Sequence, residues 1–142
     1  MGGMNAPRPL APQSLRLSLL AWSVAIAAGI FETALSLTAE VTAGATVPDL
    51  LPALLSRVAL YLGASLLVLA LRGGRRWART VLTVLLSLLG LASLAVPLTL
   101  EALAGQLPAL EFLTVRLLHI AAVLIATASM YTSAATAWLR GR

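Results

Sequence analysis

Residues 72–79 read RGGRRWAR, four arginines in eight positions, and a long apolar run lies on either side. The rest of the 142-residue chain does not resemble that stretch: 60% of all residues are hydrophobic and only 11% are charged. A soluble domain carries about 25% charged residues, so a mean hydropathy of +0.96 leaves too little polar surface to face water. An apolar chain that gathers its cations between two apolar runs reads as a membrane hairpin. Nucleic-acid binding, which a pI near 11.4 would otherwise suggest, needs basic residues interleaved with exposed aromatics or a recognisable fold. Here the arginines stand at the ends of apolar runs, and no nucleic-acid partner is expected.

Four such runs are present, at about 15–37, 50–71, 77–100 and 110–139. Each is long enough to cross about 30 Å of hydrocarbon as a helix at roughly 1.5 Å per residue. The expected fold is all-α, a single domain over 14–142 of four transmembrane helices in an up-down bundle. Residues 1–13, MGGMNAPRPLAPQ, are rich in Pro and Gly and read as a flexible cytosolic tail. Ala43-Gly44-Ala45 resembles a signal-peptidase site, but a signal core spans about 7–15 apolar residues. The first run is longer and contains Glu32, so it is expected to stay as a helix. Thr46 followed by Asp49 is a capping-box pattern with Pro48 in the first turn, and Gly73-Gly74 and Gly105 with Pro108 mark helix ends. LPALLSR at 51–57 and LPALEFLTVR at 107–116 share a loose likeness that hints at duplication.

The arginines orient the chain. Arg8 and Arg16 precede the first run, Arg72, Arg75, Arg76 and Arg79 join the second to the third, and Arg140 and Arg142 follow the fourth. The opposite loops, 38–49 and 101–109, hold Glu40, Asp49 and Glu101 and no cation. Short Arg-rich loops stay in the cytoplasm, so both termini are expected inside a bacterial cytoplasmic membrane. Trp77 and Trp138 then fall at the inner interface, and the hairpin arginines are placed to touch anionic lipid headgroups.

Glu32, Arg57, Arg116 and His119 remain inside the spans. A charge at the bilayer centre costs about 2.5–3.5 kcal/mol on insertion scales, so these four form a candidate buried polar cluster. Glu32 lies about 24 Å above Arg16 and Arg57 about 22 Å above Arg72, while His119 lies about 28 Å from Trp138. Ala21, Ala25, Gly29 and Thr33 form a small-residue stripe beside Glu32, and Ala122, Ala126, Ser129 and Ser133 form another below His119. In the structural reading Glu32 neutralises Arg57, while Arg116 and His119 snorkel to the outer interface. In the functional reading all four line an outward-facing pocket for an ion, a proton or an anionic head.

Other chemistry is sparse. There is no cysteine, one histidine cannot supply both axial ligands of a haem, and no Gly-rich phosphate loop or nucleophile–base pattern occurs. No enzyme activity, metal or cofactor is expected. All ten cations are arginine, which with abundant Ala and Leu is the coding signature of a high-GC genome. GRRWARTVLTVLLSLLG at 74–90 and MYTSAATAWLR at 130–140 resemble small uncharacterised four-helix membrane proteins of high-GC Gram-positive (actinobacterial-type) bacteria, a likeness that implies a topology and no activity. Small multidrug-resistance transporters share the four short helices and a glutamate in the first, but none of their further motifs are present. The expected role is a non-catalytic structural or interaction subunit, self-associated or joined to another membrane protein. A small transporter or ion pathway through the polar cluster is the alternative.

Overall fold

The computed structural model describes residues 10–141. They form α1 (Gln13–Thr42), α2 (Val47–Arg72), α3 (Arg76–Leu103), α4 (Leu110–Met130) and a short α5 (Ser133–Arg140), with no strand among the described residues. The first four are long and apolar enough to cross a membrane. Arg8 and Arg142, together with most of the N-terminal tail, lie outside the described residues.

The helix ends follow from local chemistry. Thr46 caps α2, where its amide and hydroxyl both donate to Asp49 Oδ2, at 2.9 and 2.5 Å. Helices α1, α2 and α3 each stop in a Schellman motif. At α1, Gly44 takes φ +96°, its amide bonds the Val41 carbonyl, and the Ala45 amide reaches back to Glu40. Ala43-Gly44-Ala45 is therefore a helix terminus, with glycine supplying the left-handed conformation that a side chain would oppose. Gly74 and Gly105 terminate α2 and α3 by the same pattern.

Each spanning helix packs on the next, and α4 returns to pack on α1, closing a ring. The α1–α4 interface is the most extensive. Ala21, Ala25, Gly29 and Thr33 are all buried on α1, as are Ala122, Ala126 and Ser129 on α4. Lipid tails are as apolar as leucine, so close backbone approach and interhelical hydrogen bonds, more than hydrophobicity, hold such helices together. Ser18 Oγ donates to the Ala126 carbonyl at 2.7 Å across this interface, and Ser87 and Thr127 hydroxyls meet at 2.6 Å between α3 and α4. Large residues such as Leu66, Leu88 and Leu124 point outward instead.

Two departures from regular helix matter. Within α3, Leu82–Gly90 is π-helical, and Pro97 further along withholds the amide that would bond the Ser93 carbonyl. The expected fourth helix over 110–139 is also not continuous. It stops at Met130, and Thr132 starts α5 by accepting from the Ala135 amide. Arg79 occupies the break: its Nη1 lies 3.4 Å from the Met130 carbonyl and 3.0 Å from Thr136 Oγ1, and its guanidinium stacks 4.8 Å from the Tyr131 ring centroid. A carbonyl freed by the ending helix thus finds a charged donor. Ser133, expected on the α4 stripe, is exposed on the first turn of α5.

Candidate functional site

The four polar residues expected inside the spans line one cavity of about 330 Å³. It runs along the middle of the ring and takes walls from α1, α2, α3 and α4. The helical repeat explains the α1 wall: Trp22, Ala25, Gly29, Glu32 and Ser36 recur every three or four residues and share one face. Arg57 and Tyr61 stand one turn apart on α2, as do Arg116 and His119, three residues apart, on α4. From α3 come Leu86 and Gly90 of the π-helical stretch, with Ser93 beyond them.

Glu32 pairs with Arg116, not with Arg57. Its Oε1 accepts from Arg116 Nε at 3.0 Å and from Nη2 at 2.9 Å. The third guanidinium nitrogen, Nη1, lies 3.7 Å from Glu101 Oε2, near the end of α3. One arginine on α4 thereby ties α1 to α3. Both side chains of the main pair are largely buried, 18% exposed for Arg116 and 14% for Glu32. Two nitrogens on one carboxylate oxygen give a charge-assisted contact stronger than a neutral hydrogen bond. His119 Nδ1 is 4.0 Å from Glu32 Oε2, too far for a hydrogen bond, and this buried nitrogen has no hydrogen-bond partner among the described residues. Arg116 and His119 therefore turn inward and do not snorkel outward as the simpler expectation had them. With α4 ending at Met130, His119 lies about 16 Å from that C-terminal end and about 14 Å from Leu110, close to mid-helix.

A second polar knot sits beside the pair. The hydroxyls of Tyr61 and Thr33 lie 2.6 Å apart and share the Gly29 carbonyl, at 2.6 and 2.9 Å. Glycine at 29 is what lets Tyr61 and His119 come this close. A Cβ there would stand 3.0 Å from Tyr61 Cε1 and 3.2 Å from His119 Cε1. Tyr61 and Trp22 were not among the residues expected at the site. Their spacing carried the signal, since Tyr61 follows Arg57 by four residues and Trp22 precedes Gly29 by seven.

Arg57 lies on the cavity wall, half-buried, with no ion pair or hydrogen bond to any described residue. No family model, curated protein or solved structure matches this chain. Its chemistry has to be read from the side chains alone.

The second expected site, the basic hairpin, divides in two. Arg76 donates from Nε to the Leu139 carbonyl at 2.8 Å and from Nη2 to the Arg140 carbonyl at 2.6 Å, closing the end of α5. With Arg79 committed to the α4–α5 break, only Arg72 and Arg75 are exposed without a protein partner among the described residues. Arg76 and Arg79 thus spend donors on carbonyls that helix ends leave free.

A double-substitution cycle separates the two arginines of the cavity. Glu32→Gln and Arg116→Gln, made singly and together in detergent-solubilised protein, should show a coupling of about 0.5–3 kcal/mol. The same cycle with Arg57→Gln in place of Arg116→Gln should be additive. Coupling of Glu32 to Arg57 alone would contradict the observed pairing.

Proposed function

We propose that this chain is a multi-pass protein of a bacterial cytoplasmic membrane, an up-down bundle with both termini in the cytosol. The asymmetry of its arginines supports that orientation: the α2–α3 turn carries Arg72, Arg75, Arg76 and Arg79, and the turns at 43–46 and 104–109 carry no cation. Single cysteines at Gly73 and Ala43, both exposed and outside the left-handed region, test it, since the native chain has none. In intact cells an impermeant thiol reagent should label the Ala43 position and spare the Gly73 position. The reverse pattern would invert the topology.

Within that membrane we infer a binding or interaction role without catalysis. One observation carries it: Glu32, the only carboxylate on the cavity wall, is already held by Arg116. Catalysis by acid, base or nucleophile needs a group free to exchange a proton or attack, and a proton relay needs a carboxylate that can change charge without losing its partner. The paired Glu32 instead joins helices around a preformed cavity. The small-residue stripes of α1 and α4 are used within the chain, so any partner subunit would contact the outward leucine faces.

A specific observation keeps an ion or proton pathway as the second reading, namely His119 Nδ1 at 4.0 Å from Glu32 inside a polar cavity. Proteoliposomes distinguish the two. Under an imposed pH gradient, purified protein should give proton flux equal to protein-free vesicles, with Glu32→Gln indistinguishable from the unmodified chain. Flux above that background, abolished by Glu32→Gln, would establish the pathway instead.

A further inference from the structure

The cavity wall contains donors without acceptors. Trp22 is buried, 1% exposed, and its Nε1–H has no acceptor among the described residues. Arg57 has neither a carboxylate nor a carbonyl partner among the described residues, and Glu32, the only acid on the wall, is occupied by Arg116. An indole N–H and a guanidinium can only donate. A buried donor without an acceptor forfeits its hydration and gains nothing in return. Arg57 is left without a counter-charge among the described residues, so the group that complements it is an anion.

Size and polarity narrow the class further. At roughly 30 Å³ per water-sized group, a cavity of about 330 Å³ holds about eleven non-hydrogen atoms. Along α1, Trp22 stands ten residues before Glu32, about 15 Å at the helical rise. Between those levels the wall is lined by Ala25, Ile26, Leu86 and Val123. A charged end near Arg57 and an apolar body along this stretch suit a molecule with one anionic group and a short apolar chain or ring.

We infer that the cavity binds a small anionic amphiphile, a carboxylate or phosphate monoester on an apolar chain or ring, with Arg57 as its counter-ion. The fixed Glu32–Arg116 pair forms the neighbouring wall and leaves Arg57 free for the ligand. Guanidinium matches either anion with two parallel N–H donors, which a lysine cannot reproduce. The anion comes either from the bilayer, as a lipid head entering between helices, or from solution as a free organic acid. This inference rests on the membrane-spanning reading and on the binding role proposed above.

Octanoate, with ten non-hydrogen atoms, is the probe. The protein is reconstituted in phosphatidylcholine nanodiscs with Trp77→Phe and Trp138→Phe, so that Trp22 alone reports. Octanoate should change Trp22 fluorescence saturably, and octanol should not. Arg57→Gln should weaken binding at least tenfold, and Arg57→Lys should weaken it less. Melting of the protein with its native tryptophans should rise with octanoate and lose that rise in Arg57→Gln, provided both fold to the same helical content. Adding phosphatidic acid, a lipid whose head is a phosphate monoester, separates the sources: a raised apparent Kd for octanoate identifies a lipid head as the competing occupant, and an unchanged Kd identifies a soluble anion. A non-saturable response, equal binding of octanol, or equal binding by Arg57→Gln would overturn the inference. Failure here would leave the labelling and flux results standing, so the two readings fail separately.

Discussion

The close approach of α1 and α4 is the contact on which the rest of the molecule depends. Among lipid tails, apolar side chains gain little by leaving one apolar surface for another, so helices associate where small residues let backbones meet. Ala21, Ala25 and Gly29 provide that surface on α1, and Ala122, Ala126 and Ser129 provide it on α4. The approach is near enough for Ser18 to bond a backbone carbonyl of the opposite helix. It also brings Arg116 within 2.9 Å of Glu32 and His119 against the face of Gly29. With α1 and α4 fixed, α2 and α3 complete the ring at a greater distance, and the space left between them is the cavity.

That order of constraints explains how the polar groups are distributed. Arg116 lies on the tightly packed helix and is matched by Glu32, with Glu101 nearby. Arg57 lies on α2, whose contact with α1 is looser and is bridged mainly by Tyr61. Arg116 already places two nitrogens on Glu32, and Arg57, on the same cavity wall, has no carboxylate partner among the described residues. The π-helical stretch of α3 contributes Leu86 and Gly90 to the same wall, in keeping with the tendency of such distortions to occur at functional sites.

Much of this was legible in the sequence. Span positions follow from apolar run length, and helix ends from Thr46–Asp49, Gly74 and Gly105, because hydrocarbon thickness and capping act locally. The α1 stripe was readable from its four-residue spacing. The partner of Glu32 was not. Counting residues from a boundary gives height but not the direction a helix face points, and counting from Trp138 across the unforeseen break after Met130 set Arg116 further out than Glu32. The break after Met130 was hidden for a different reason: MYTSAATAWL stays apolar enough to continue a run, while the cap that interrupts it is one hydroxyl, Thr132. The bonds of Arg76 and Arg79 to carbonyls of α4 and α5 depend on that break and were hidden with it. No residue in 82–90 marks the π-helical stretch.

The most direct test of the α1–α4 seam uses the absence of cysteine in the chain. Ser18→Cys and Ala126→Cys, introduced together, should be joined within one chain by a short bifunctional thiol reagent in native membranes, because Ser18 Oγ lies 2.7 Å from the Ala126 carbonyl. A control pair at Leu66 and Leu124, both facing outward, should not be joined. Intramolecular linkage of the first pair and not the second is the predicted result. Absence of that linkage, or linkage only between separate chains, would contradict the seam and with it the cavity and the ion pair built upon it.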